Sequence, residues 1–113
     1  MIRSISAGEV RIGDDVFNHT IALNTDTVFD DWPQKTIADL TEADFSLLLD
    51  GDPEIIVLGT GQSNIFAPRE LVFAMARRGT GFEVMNSAAA ARTFNVLAGE
   101  GRRVAAILYL SDE

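Results

Sequence analysis

No cysteine occurs among the 113 residues. Disulfides, thiolate catalysis and cysteine-ligated metals are therefore excluded together. Histidine is nearly as scarce. A Ser-His-Asp arrangement could be built only around His19, the single histidine, and no Gly-x-Ser-x-Gly elbow accompanies it. No His/Asp/Glu spacing resembles a zinc or calcium site. Long apolar runs are also lacking: the longest, Val104 to Leu110, is far too short to cross a bilayer. The opening residues Met1-Ile2-Arg3-Ser4-Ile5 lack the apolar stretch and cleavage site of a signal peptide. The expectation is a soluble chain of a bacterial or organellar interior, with the cytoplasm as first choice.

Acid is what the chain has in excess. Seventeen acidic against nine basic residues give a net charge of −8, which argues against a nucleic-acid partner, since phosphate neutralisation needs clustered Lys and Arg. The charge is uneven. Residues 1–54 carry twelve acidic and three basic side chains, a balance of −9, and residues 55–113 carry five and six, a balance of +1. A solvated acidic face is the plain reading and an acidic docking surface the sharper one.

The length suits one domain, 1–113, with a real core, and no repeat, linker or low-complexity tract divides it. The first third reads as short strands. Val10 and Ile12 alternate with Arg11, Gly13-Asp14-Asp15 makes a turn, and Val16 to Leu23 reads as one strand with Phe17, His19, Ile21 and Leu23 on its apolar face. His19 there is read as a satisfied core or edge histidine rather than a catalytic one. Asp30-Asp31-Trp32-Pro33 signals a turn. Thr41 with Asp44 forms a variant capping box, Leu40 and Phe45 a hydrophobic staple, for a helix that stops at Asp50-Gly51.

From residue 54 the pattern changes to alternating strands and helices. Ile55 to Leu58 is a continuous apolar run, as in a strand covered on both faces. Pro68 to Arg78 reads as a helix with Leu71, Val72 and Met75 inward and Gly79 as its stop. Phe82 to Met85 is a second strand. Asn86 or Ser87 caps a helix with Ala90, Phe94 and Leu97 inward, and Val104 to Leu110 is the third strand. This β-α-β-α-β C-terminal half predicts an α/β fold, with helices packed on one sheet that holds at least one parallel pair.

Two groups of residues are candidate ligand or partner sites. Gly59, Thr60, Gly61, Gln62, Ser63 and Asn64 follow an apolar strand, where open α/β sheets bind ligands and where glycine brings backbone N–H groups toward an anion. A dinucleotide fingerprint fails because Asn64 stands where a third small residue is needed. A P-loop fails because no lysine lies near. A structural turn and an anion or partner site both stay open. The second group is Arg92 and Asn95 on the following helix. An amide at Asn95 needs partners, which the backbone of the Gly59–Gly61 loop would supply, and Arg92 could hold an anion or pair with the acidic half. Paired carboxylates such as Asp14-Asp15 and Asp30-Asp31 sit in turns, where Asp is favoured for backbone reasons. No catalytic or metal-ligating residue and no cofactor is assigned.

The ordered set Leu58-Gly59-Thr60-Gly61, Glu83-Val84-Met85-Asn86, Ala91-Arg92-Thr93-Phe94-Asn95-Val96-Leu97 and Glu100-Gly101-Arg102-Arg103-Val104 resembles a family of small α/β domains of unknown biochemical function. That family includes the mitochondrial respiratory complex I assembly factor 3 and stand-alone bacterial and archaeal members. The resemblance covers essentially the whole chain. It implies a three-layer domain with a mixed central sheet and additional antiparallel strands at the N-terminal end. For the mitochondrial member it implies a role in assembling a membrane complex through protein contacts, and it carries over no catalytic residues. Without a mitochondrial presequence this chain looks like a bacterial stand-alone member. The leading expectation is a non-enzymatic protein-binding or assembly-factor-like domain with a protein partner, self-association staying open. The alternative is a small-ligand or anion-binding module using the Gly59–Asn64 loop.

Overall fold

The computed structural model describes residues 1–6 and 8–110. From the N-terminus, β1 (Ile2–Ser6), β2 (Glu9–Ile12) and β3 (Asp15–Phe17) form an antiparallel sheet in that order, with the turn at Gly13 between the last two. The chain then enters a second sheet through β4 (Ile21–Asn24) and β5 (Val28–Phe29). Two 3-10 turns, Ile37–Asp39 and Glu42–Phe45, lead into the short α1 (Ser46–Asp50). The alternating half follows as β6 (Ile55–Thr60), α2 (Arg69–Arg78), β7 (Gly81–Met85), α3 (Ser87–Gly99) and β8 (Val104–Tyr109). The second sheet is mixed, in the order β5-β4-β8-β6-β7, with β8 parallel to β6 and antiparallel to β4.

Strand β8 is central and wholly buried, which explains its unbroken apolar run. The period-two rule divides the core into two layers. Val57, Ala106, Leu108, Ile21 and Leu23 face α3 and the three-stranded sheet, where Val10, Ala90 and Phe94 meet them. Ile56, Leu58, Ala105, Ile107 and Tyr109 face the other side, against Phe45 and Leu48, Leu71 and Met75 of α2, and Trp32. Trp32 stands edge-on to Phe45 with ring centroids 5.4 Å apart, a favoured aromatic arrangement. The expected capping box is present: the Thr41 N–H donates to Asp44 at 2.9 Å. Leu40 and Phe45 are both buried beside it. The three layers, the mixed sheet and the antiparallel N-terminal strands agree with the expectation from the residues and the family resemblance.

Three local expectations need correction. Val16 to Leu23 is not one strand but two, β3 and β4, in different sheets. The break at residues 18–20 brings His19 Nε2 within 2.9 Å of the Asp30 carbonyl oxygen, with the ring edge-on to Phe17. Alternation gave the two faces but could not reveal that the strand changes sheets. Gly59 and Thr60 belong to β6 rather than to a loop, and both are buried. On α2, Ala74 rather than Val72 joins Leu71 and Met75 in the core, while Val72 is left 39% exposed. Ala74 lies one helical turn after Leu71 on the same face, whereas Val72 lies at the edge of that face.

Candidate functional site

Strands β6 and β8 end side by side, Thr60 opposite Tyr109, and α3 begins against them. Asn86 caps that helix, its Oδ1 accepting from the Ala89 N–H at 2.8 Å, as expected of an Asn N-cap. Ser87, the next residue, is buried and joins three chain segments. Its hydroxyl accepts from the Gly61 N–H at 2.8 Å and donates to the Tyr109 carbonyl oxygen. Its own N–H donates to the Gly61 carbonyl oxygen at 2.8 Å. The glycines are required by this closeness. A Cβ on Gly59 would stand 2.7 Å from Ser87 Oγ and 2.9 Å from Ser87 Cα, and Gly61 turns through a φ of 86°, which only glycine adopts freely.

Thr60 completes the turn. Its hydroxyl donates to the Ser63 carbonyl oxygen at 2.6 Å, with the Met85 carbonyl oxygen also in reach at 3.2 Å, and accepts from the Ile65 N–H at 3.3 Å. Both backbone polar groups of Gly61 are thus spent inside the fold. Gln62, Ser63 and Asn64 lie at the exposed tip of the turn. A cavity of about 340 Å³ opens beside them, bounded by Gly61, Gln62, Asn86 and Ser87 on one side and by Ile5 and Ser6 of β1 on the other.

Asn95 does not reach this loop. Its amide pairs with the backbone of β1 as a neighbouring strand would: Oδ1 accepts from the Ile2 N–H at 3.0 Å and Nδ2 donates to the Ile2 carbonyl oxygen at 2.7 Å. Structural bracing therefore does occur at Asn95, but its partner is the edge of the small sheet, because the side chain sits two turns beyond Ser87 on α3. Arg92 is exposed and forms no ion pair among the described residues. With Asn95 it borders a second hollow of about 230 Å³, which shares Ile5 and Ala88 with the first; Ala88 lines the larger cavity too. Of the first group, Gly61 and Gln62 border one hollow, while Arg92 and Asn95 border the other; the two hollows adjoin at Ile5 and Ala88 as a groove between β1 and α3.

Two features escaped the sequence reading. The sequence presents Ser87 only as a helix cap, because its partners Gly61 and Tyr109 are distant in the chain and meet it only in the fold. Phe66 and Phe73 were not singled out; they are 97% and 54% exposed. Phe73 lies on the side of α2 away from Leu71, Ala74 and Met75, and Phe66 stands in the segment that precedes the helix.

Comparison with known proteins matches the model of the family described as "Protein of unknown function (DUF498/DUF598)" to residues 2–109. The "13 kDa major membrane protein" of Francisella tularensis subsp. holarctica (strain LVS) is 31% identical over 94 residues, 81% of this chain and 76% of that protein. The "NADH dehydrogenase [ubiquinone] 1 alpha subcomplex assembly factor 3" of Mus musculus is 35% identical over 105 residues, 91% of this chain. The chain spans only 56% of that relative's length. Among solved structures, an NMR structure from Xanthomonas campestris superposes with a TM-score of 0.89 at 34% identity, covering 97% of this chain and 83% of that one. Among the described residues no helix is long and apolar enough to cross a membrane. A family model that spans nearly the whole chain, with a matching fold, makes this chain a member of the DUF498/DUF598 family.

Proposed function

We infer that this chain is a non-enzymatic protein-binding domain of the assembly-factor type, one domain of 113 residues working in the cytoplasm through protein contacts. The observation that carries this reading is the exposure of three large apolar side chains on and just before α2, Phe66, Val72 and Phe73. Grouped large apolar side chains in water are costly to leave bare and mark docking surfaces. The mouse relative's name is that of an assembly factor, which supports a comparable role here. Nucleic acid is not the expected partner, since the net charge of −8 repels phosphate.

The loop chemistry points the same way. An anion cradle needs backbone N–H groups left free to meet the ligand, and Gly61 gives its N–H to Ser87. The cavity of about 340 Å³ beside Asn86 and Ser87 favours a second reading, a small-ligand module at the Gly59–Asn64 turn with Arg92 and Asn95 farther along the groove. The two readings separate in one experiment. Tagged wild-type chain and a Phe66→Ser/Phe73→Ser variant are compared for co-purifying proteins in the cells of origin. Loss of the partners in the variant supports docking through α2; partners retained there but lost in Arg92→Ala move the function to the groove.

A further inference from the structure

The geometry points to a second copy of this chain as the occupant of the outer face of α2, the two helices pairing antiparallel about a two-fold axis. This rests on the reading of that face as a protein-docking surface and names its partner.

Leu71, Ala74 and Met75 face the sheet. Phe73 points away from them with Ala76 beside it, Val72 lies at one border, and Phe66 projects from the segment leading in. The other border carries Glu70 and Arg77. Seven residues separate them, so they share one flank about 10 Å apart along the axis. That is too far for them to pair with each other, since helical neighbours lie three or four residues apart. Neither forms an ion pair among the described residues, although adjacent Arg78 is held by Glu42.

An acid at the N-terminal end of a flank and a base at its C-terminal end are complementary to the same flank turned end for end. An axis passing between residues 73 and 74 sets Glu70 against Arg77 of the copy and Arg77 against Glu70 of the copy. Phe73 then lies at the centre, and Ala76 leaves room for close approach. This is the self-complementarity a two-fold interface requires. Arg69, at the start of α2, would face the carbonyl end of the copy's helix, where a cation is favoured. The helix dipole alone would explain an acid early and a base late, but it gives no reason for Phe66, Val72 and Phe73 to stand in water. A lipid surface fits less well, because a net charge of −8 opposes anionic headgroups.

The test is sedimentation equilibrium over a wide concentration range at fixed salt. The expected result is a mass rising from 12.3 kDa toward twice that value. Glu70→Arg or Arg77→Glu alone should weaken association on the order of tenfold or more, because each sets like charges face to face. Glu70→Arg with Arg77→Glu should restore it, since the swapped pair is again complementary. An unchanged far-ultraviolet circular dichroism spectrum shows that the variants fold. Monomer at every concentration, or a double variant no better than either single one, overturns the inference. So does a monomer that co-sediments with phosphatidylserine vesicles through Phe66. If the chain is monomeric while cellular partners still depend on Phe66 and Phe73, the self-pairing is wrong and the docking reading stands; if neither holds, both are wrong.

Discussion

Gly59 and Ser87 are in such close contact that a single methyl group at position 59 would lie 2.7 Å from the serine hydroxyl oxygen. Strand β6 and helix α3 can approach this closely only because residue 59 has no side chain. Gly59→Ala should therefore destabilise the fold by about 1–3 kcal/mol through overpacking. The measurement is the urea midpoint, with an unchanged slope showing that stability rather than compactness has altered. A wild-type midpoint would mean that α3 sits farther from β6 than described.

Ser87→Ala tests the other half of that contact. It removes the acceptor of the Gly61 N–H and the donor to the Tyr109 carbonyl. Two buried backbone groups lose a partner, and the expected loss is about 1–3 kcal/mol. Ser87→Thr keeps the hydroxyl but adds a methyl group, so the two variants separate hydrogen bonding from packing.

The resemblance and the apolar runs made the C-terminal half legible, because Ile55 to Leu58 and Val104 to Leu110 are bounded by glycines, Pro53, and capping residues. What the sequence could not convey was tertiary. Alternation in Val16 to Leu23 assigns faces but not sheets, and both β3 and β4 obey it. Gly59 reads as a loop glycine until α3 is seen lying across it. Asn95 was legible as a bracing amide, yet its partner, the backbone of Ile2 ninety-three residues away, depends on which edge of the small sheet α3 meets.

Asn95→Ala should release that edge. Two hydrogen bonds to Ile2, partly buried, contribute about 1–2 kcal/mol together. The local signature is faster hydrogen exchange at the Ile2 amide, with α2 unaffected. Arg92→Ala, at an exposed side chain with no ion pair among the described residues, should stay within about 0.5 kcal/mol of wild type. An Asn95 variant with normal exchange at Ile2 would show that the small sheet is held by packing alone.

Acid should weaken the first helical turn. Burial opposes ionisation of Asp44, but the Thr41 N–H and the Lys35 ammonium, the latter 3.0 Å away, outweigh it and hold the carboxyl below its ordinary value. A lowered folded-state pKa contributes stability that is fully present above the unfolded value, about 4, and is lost as pH falls through the folded value. Asp44→Asn should cost roughly 1 kcal/mol at neutral pH, after allowance for solvent screening. The gap from wild type should close in urea titrations below about pH 4. A gap that is constant with pH would assign the effect to something other than the carboxylate charge.

The docking face can be separated from the core on α2 itself. At concentrations low enough to keep the chain monomeric, Phe73→Ser should change stability by no more than about 0.5 kcal/mol, since the ring is already half in water. Met75→Ala, two residues on and fully buried, should cost about 2–5 kcal/mol. Equal costs at the two positions would mean that Phe73 is packed rather than presented.

The most direct test of docking through α2 is site-specific photo-crosslinking in living cells, with a photoreactive phenylalanine analogue placed in turn at Phe66, Phe73 and, on the groove side, Arg92. The account predicts a discrete protein adduct from positions 66 and 73 and none from position 92. An adduct confined to position 92, with positions 66 and 73 unreactive, would contradict it.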